Sequence, residues 1–458
     1  MRTLVLAGLC AAFAAVAHAQ PIPAEPPLLR DLPAQVSPER MRADIARMVS
    51  FGTRHTLSET RSEKRGIGAA RRWVASEFRE ISQDCGGCLV IETPSAVVTA
   101  PPRVPNPTEI MDVLAIQRGT TDPGRVVIIS GHLDSRVTDV MDFKSDAPGA
   151  NDDASGVAAV IEAARVLSKH KFPATIVYAA LSGEEQGLHG GKILADYAAA
   201  QGWRVVADLN NDIIGNTEGI GGNRDNTHVR VFSEGTKAVE TPEEANRRRY
   251  NGGEVDSPSR QLARYLDGLA DRYLAGLDVV MVYRTDRFGR GGDQVRMLEA
   301  GFPAVRITEA TEHYHRQHQD LRTEKGIRYG DTIDGVDFPY LAKVTRLNVL
   351  GLAALAAAPA PPKDVEISGA VSADTTVKWT PAADAVAYRV WWRATTDPTW
   401  RYSRTVAPTG ETRLTGVNID DWFFGVSAVG PDGHESPVVY PGAPGRWERT
   451  APAPTPAN

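Results

Sequence analysis

Four short stretches of this chain are apolar with scarcely a break: VVIIS at 126–130, TIVYAAL at 175–181, VVADLN at 205–210 and AVRIT at 304–308. Strands buried on both faces read this way, because neither set of alternating side chains meets water. Around them apolar residues return at helical spacing. SPERMRADIARMVS begins with Ser-Pro, a helix-start signal, and carries Met41, Ile45 and Met48 on one face. AARRWVASEFREI continues in the same way, and ASGVAAVIEAARVLSK spans 154–169 between the first two runs. Strands alternating with helices predict an α/β domain with a mixed, largely parallel central sheet flanked by helices. The pattern changes after the Ala/Pro stretch LAALAAAPAPPKD at 352–364. From there TTVKWT, AYRVWWRA and WFFGVSAVG alternate apolar and polar positions, with DPTW and GPDGHES as turns. That predicts a C-terminal all-β sandwich of about 80 residues, a usual size for such a module.

The ends add a compartment. MRTLVLAGLCAAFAAVAHAQ has one positive charge, Arg2, an apolar run from Leu4 to Val16, and the small-x-small end Ala17-His18-Ala19. This is the pattern of a secretory signal cleaved after Ala19, too short to span a bilayer. No later segment reads as a membrane span, so the expectation is an exported protein, periplasmic or secreted, with no membrane insertion. The chain of 458 residues exceeds one ordinary core. The expected plan is a signal peptide at 1–19, an α/β domain at 20–358, a linker at 359–364, the sandwich at 365–445 and a disordered tail at 446–458. A net charge of −6 without a basic block argues against nucleic acid as a partner. Cleavage would leave two cysteines, Cys85 and Cys88 in DCGGC, and in an exported chain these predict a small structural disulfide.

Metal-capable residues follow each apolar run. VVIIS leads to His132 and Asp134, TIVYAAL to Glu184 and Glu185, VVADLN to Asp212, and AVRIT to His313, His315 and His318. Open α/β sheets bind ligands at the carboxyl ends of their strands, so these residues should share one edge. APGANDDASG adds Asp152 and Asp153 before a helix, where one acid would suffice as a cap. Imidazoles and carboxylates without thiolates point to zinc, with manganese or cobalt as weaker options. There are more such groups than one tetrahedral zinc needs, so two zinc ions are expected. Asp152 could bridge them while Asp153 caps the helix or supports the ligands. Of the two glutamates, one would be a ligand and its neighbour a general base.

GHLDSR, PGANDDASG, SGEEQGLHG, NNDIIG and the late histidine cluster resemble, in order and spacing, the co-catalytic di-zinc aminopeptidases of the bacterial and fungal leucyl-aminopeptidase type, over roughly residues 40–355. The resemblance implies the phosphorylase/hydrolase-like fold of zinc peptidases and peptide substrates cleaved at their N-termini. It implies His132 and Asp212 as ligands of one zinc, Asp152 as the bridge, Glu185 as a ligand of the other, and Glu184 as the general base. His318 fits the remaining ligand position best, with His315 as the alternative. Asp134 resembles the acid that orients the ligand imidazole. The family also carries a cis peptide just after the bridging aspartate. DRFGRGGDQ (286–294) resembles a segment near the substrate pocket, with Asp293-Gln294 where the family often has Asp-His. Residues from about 362 to 445 resemble a fibronectin type III domain. Relatives of this architecture include carboxypeptidases, single-zinc glutaminyl cyclases and non-catalytic receptors. A carboxypeptidase needs a cationic pocket for the terminal carboxylate, and no arginine in the sequence is marked out for it.

Overall fold

The computed structural model describes residues 25–448. The expected signal peptide and most of the expected tail lie outside the described residues. The proline-rich stretch before the first long helix forms a short helix Pro27–Asp31 and a 3-10 turn Leu32–Gln35 whose Leu29 and Leu32 enter the core. Helix Pro38–Val49 follows, capped by Ser37, which accepts from Arg40 N.

The central sheet has eight strands in the order Leu89–Glu92, Val113–Gln117, Ala174–Leu181, Asp122–His132, Arg204–Asn211, Ala304–Glu309, His228–Phe232 and Asp278–Val282. The four apolar runs form the middle four strands, all parallel to one another. Their composition follows from two cores. Val127 and Ile129 pack into the larger one, beneath helices that include Ala154–Leu167 and Phe338–Ala357. Their neighbours Val126 and Ile128 pack on the opposite face, under Leu194 and Ala198 of helix His189–Ala200 and Met297 of helix Gln294–Glu299. Successive residues of a strand face opposite sides, so a strand covered on both sides must be apolar throughout.

The chain leaves strand Asp122–His132 for Ala174–Leu181 on one side, then crosses to Arg204–Asn211 on the other. The order therefore reverses about Asp122–His132, which opens a crevice at its carboxyl end. Register aligns His132 with Leu181 and Asn211 with Ile307, so the four strand ends finish at one edge.

Helix Phe338–Ala357 corrects one expectation, since it has the length and apolar character of a membrane span. It is apolar because it is a core helix, packed on helices Ala154–Leu167, Pro38–Val49 and Pro258–Tyr273.

The C-terminal part contains two antiparallel three-stranded sheets, Lys363–Ser368, Thr375–Thr380 and Glu411–Leu414 in one, and Tyr402–Val406, Ala387–Ala394 and Trp422–Val429 in the other. They enclose a core around Trp379, Tyr388, Phe424 and Val426. Two expected boundaries shift. Strand Lys363–Ser368 begins inside the expected linker, and Trp447, placed in the expected tail, packs against both the large core and this one. An indole gains too much by leaving water to stay in a solvated tail.

The two parts meet through buried polar contacts. Asp256 joins Arg264 at 2.8 Å and Arg393 of the C-terminal part at 2.9 Å, and Trp400 Nε1 donates to Gln261. Cys85 and Cys88 are bonded to each other.

Candidate metal centre

Two groups of side chains meet at the carboxyl edge of the four parallel strands, and they share one residue. His132, Asp152 and Asp212 form one, and Asp152, Glu185 and His318 the other, with the ligand-type atoms of each within 4.8 Å of one another. Asp152 Oδ1 lies 3.2 Å from His132 Nε2, and Asp152 Oδ2 lies 2.9 Å from His318 Nε2. His132 Nε2 is 3.9 Å from Asp212 Oδ1, and His318 Nε2 is 2.9 Å from Glu185 Oε1. Each residue comes from a different strand end or loop, as the crevice at a reversal of strand order requires.

The neighbouring acids hold these groups in place. Asp153 caps helix Ala154–Leu167, with Oδ1 accepting from Gly156 N at 2.9 Å and Ile213 N at 3.2 Å. Its Oδ2 accepts from His132 N at 3.0 Å. One carboxylate thus ties together the backbone next to Asp152, at His132 and next to Asp212. The peptide between Asp152 and Asp153 is cis. Asp134 accepts from the backbone of both Glu184 and Glu185, at 3.2 and 3.1 Å, and from Thr56 Oγ1 at 2.8 Å. Its Oδ1 also stands 3.5 Å from His132 Nδ1. Asp331, which the sequence did not single out, accepts from the backbone N–H groups of Asn151 and Asp152.

Glu184 belongs to neither group of three and is half-buried. His315 is placed away from both groups, its ring packed on Tyr329 at 4.9 Å between centroids. His313 packs on His315.

These groups suit divalent cations. His132 Nδ1 lies 3.0 Å from the backbone carbonyl of Asp134. A carbonyl only accepts, so a ring proton sits on Nδ1 and Nε2 is turned to the two carboxylates. Glu185 Oε1 is buried and makes no hydrogen bond, although it faces His318. A buried carboxylate oxygen left this way asks for a cation. Burial works to raise Asp152, yet His318 and His132 hold its carboxyl well below the usual range. Burial likewise opposes Asp212, which Arg306 and His132 keep low. Glu184 moves the other way: burial pushes it well up, His132 opposes, and Glu185 and Asp212 add to the rise.

Arginines are the part that sequence reasoning missed. Arg306 Nη1 contacts Asp212 Oδ2 at 2.6 Å, and Arg136 Nε contacts Glu185 Oε2 at 2.8 Å. Arg136 Nη2 also lies 2.6 Å from His318 Nδ1. Arg287 stands 4.0 Å from Asp212 Oδ2 and 3.9 Å from Glu312, with Nε on Asp286 at 3.1 Å. The one available signal was Arg306 itself, a guanidinium inside an otherwise apolar strand. Asp293 accepts from Gly191 N at 2.8 Å, which secures the start of helix His189–Ala200.

The chain is also similar to known proteins. The family model described as Peptidase family M28 matches residues 112–327. A probable zinc metalloprotease of Pyrenophora tritici-repentis is 44% identical over 418 residues, covering 90% of this chain and 86% of its own. Another, from Leptosphaeria maculans, is 45% identical over 410 residues, covering 89% of this chain and 95% of its own. Among solved structures, LapB from Legionella pneumophila is similar with a TM-score of 0.53 at 19% identity, over 73% of this chain and 76% of that one. The LapA aminopeptidase of the same organism is similar with a TM-score of 0.50 at 19% identity, over 72% and 75%. At such identities the solved structures share the fold.

Proposed function

The chain belongs to peptidase family M28, and from that premise we propose that it is an exported zinc aminopeptidase that releases N-terminal residues from peptides, using two metal ions per chain. One observation carries the two-ion reading. The two oxygens of Asp152 face two different imidazoles, and each imidazole has a further carboxylate of its own. His132, Asp152 and Asp212 would hold one ion, and Asp152, Glu185 and His318 the other. Bound there, zinc supplies Lewis acidity to a water and to the scissile carbonyl.

The chain's own residues do the rest. Glu184 is fixed through its backbone by Asp134 and is free of both ligand groups, which suits it to take the proton of the attacking water. The same carboxyl group can then pass that proton on to the leaving amine. Asp134 keeps the His132 ring turned and the Glu184–Glu185 backbone still. A free α-amine is a cation, and the acids that crowd this crevice are its natural counter-charge. The most prominent guanidiniums nearby are already engaged, Arg136 on Glu185 and Arg306 on Asp212.

Arg287 favours a second reading, a carboxypeptidase. Its Nη2 donates to the Gly291 carbonyl at 3.4 Å, while its Nη1 comes no nearer a carboxylate than 3.9 Å, which leaves Nη1 as a donor for a substrate carboxylate. A panel of aminoacyl fluorogenic substrates with and without chelator, beside peptides blocked at either end, separates the two. Chelator-sensitive cleavage of C-terminally blocked peptides supports the aminopeptidase. Cleavage confined to N-terminally blocked peptides would establish the carboxypeptidase instead.

Export is supported by the tripartite pattern of residues 1–19 and by the Cys85–Cys88 bond, which suits an oxidising compartment. The fibronectin type III reading of the C-terminal part is supported by its two antiparallel three-stranded sheets packed about one core.

A further inference from the structure

We propose that Arg306 and Arg136 are matched positioning residues, each gripping the outer oxygen of one metal-facing carboxylate so that only its inner oxygen is offered to a cation. The proposal rests on the two-metal reading above. In the first group, Arg306 Nη1 holds Asp212 Oδ2 at 2.6 Å, while Asp212 Oδ1 faces His132. In the second, Arg136 Nε holds Glu185 Oε2 at 2.8 Å, while Oε1 faces His318 without any hydrogen bond. The two arrangements repeat each other on opposite sides of Asp152, although their arginines come from unrelated places. Arg306 lies in strand Ala304–Glu309, and Arg136 on the loop after His132.

Each guanidinium is anchored apart from the carboxylate it serves. Arg306 also reaches Asp286 Oδ2 at 3.4 Å and the Gly291 carbonyl at 3.3 Å. Room for it depends on Gly292, where a Cβ would stand 2.6 Å from Arg306 Nη1. Arg136 donates to the carbonyls of Val137 and Thr138, at 3.1 and 3.4 Å. A carboxylate in a metal site can swing to present one oxygen or both. An arginine fixed on one oxygen stops the swing, and it offsets part of the negative charge gathered by Asp152, Glu184, Glu185 and Asp212. The contact of Arg136 Nη2 with His318 Nδ1 cannot persist alongside a cation on Nε2. The ring proton must then sit on Nδ1, and a guanidinium has no lone pair to receive it. Arg136 therefore releases the ring and keeps Glu185.

The test is zinc affinity of the full mature chain, measured by competition with chelators of graded strength and by metal content after dialysis. Partners that hold metal ligands typically contribute 10–100-fold in affinity. Arg136→Met should lower the affinity of one site by that factor and leave the other unchanged. Combined with Glu185→Gln it should add little, and combined with Asp212→Asn it should add its full effect. Arg306→Met should behave in mirror image, additive with Glu185→Gln and not with Asp212→Asn. Arg136→Lys and Arg306→Lys, which keep charge and lose the fork, should recover part of the loss. Should the buried Arg306→Met fail to fold, the two Arg136 cycles and Arg306→Lys still decide. Unchanged affinity in the arginine variants overturns the proposal, as does a loss additive with both ligand variants. A wild-type chain that retains fewer than two zincs overturns the reading beneath it, and this inference with it.

Discussion

Glu184→Gln should stop turnover while leaving the fold and the metal content intact. The expectation comes from where the side chain stands. Glu184 is in neither of the two groups that share Asp152, so the amide removes no ligand. Burial disfavours its carboxylate most, the charges of Glu185, Asp212 and Asp293 add to that, and His132 alone among its larger influences favours it. A neutral amide of the same shape relieves that repulsion, so the metal-free variant should melt no lower than the wild type. Turnover is another matter. An amide cannot take a proton from water, and losing general acid–base catalysis costs about 10²–10⁴-fold. That is roughly 3–5 kcal/mol of barrier, at about 1.4 kcal/mol per decade.

Glu185→Gln gives the contrast. Its Oε1 faces His318 at 2.9 Å and its Oε2 holds Arg136 at 2.8 Å, so the change weakens a ligand and strips a mostly buried guanidinium of its partner. A hydrogen bond to a charged group is worth about 1.5–3 kcal/mol, so this variant should lose stability as well as zinc. Three measurements on both variants decide the matter: kcat on an aminoacyl substrate, zinc per chain, and melting temperature with and without chelator. If Glu184→Gln keeps activity within tenfold of wild type, the base is some other group. If it loses zinc while Glu185→Gln keeps it, the two roles are exchanged.

Three further outcomes are expected. Thiol labelling of the unfolded, unreduced mature protein should find no free cysteine. The Cys85→Ser, Cys88→Ser double variant should lose at most about 2 kcal/mol, because the bond closes a loop of only a few residues. Asp208 is buried in strand Arg204–Asn211, with Oδ1 accepting from Ser130 and Oδ2 without a partner, and burial pushes its carboxyl up to about 7. The folded state then holds a proton that the unfolded chain has released, so stability falls as pH rises from about 4 to 7 and levels off above. Asp208→Asn should flatten that slope and raise the melting temperature most at pH 8; an equal gain at pH 5 would refute the assignment. Asp256→Asn should loosen the C-terminal part, since it leaves Arg264 and Arg393 buried without their shared carboxylate, a loss of about 3–5 kcal/mol. Calorimetry should show a lower transition, and an unchanged melting curve would show that this network holds nothing.

The middle of the sheet was legible because burial on both faces forces a uniform apolar run. The flanking strands Leu89–Glu92, Val113–Gln117, His228–Phe232 and Asp278–Val282 were not, since each is five residues or fewer and two of them, Leu89–Glu92 and Asp278–Val282, mix exposed with buried positions. His132, Asp134, Glu184, Glu185 and Asp212 were legible for a different reason. Each follows a strand closely, and the carboxyl edge of a parallel sheet gathers whatever follows its strands. Asp331 gave no such signal, because it reaches the backbone of Asn151 and Asp152 from a loop with no periodic pattern.

Arg306 marks where the reading stops. An arginine inside AVRIT, fully buried, must find acceptors, and a carboxylate is the strongest it can have, because an unpaired buried charge is too costly to keep. The sequence therefore demands a partner, but it cannot name one among 57 acids. The partner, Asp212, is 94 residues away along the chain. It is delivered by the parallel register that sets Ile307 beside Asn211. A slip of one residue would turn Arg306 to the other face of the sheet and leave Asp212 without its grip. The pairing that shapes one half of the metal centre is thus a property of strand register, which the alternation of apolar residues cannot encode when both faces are buried.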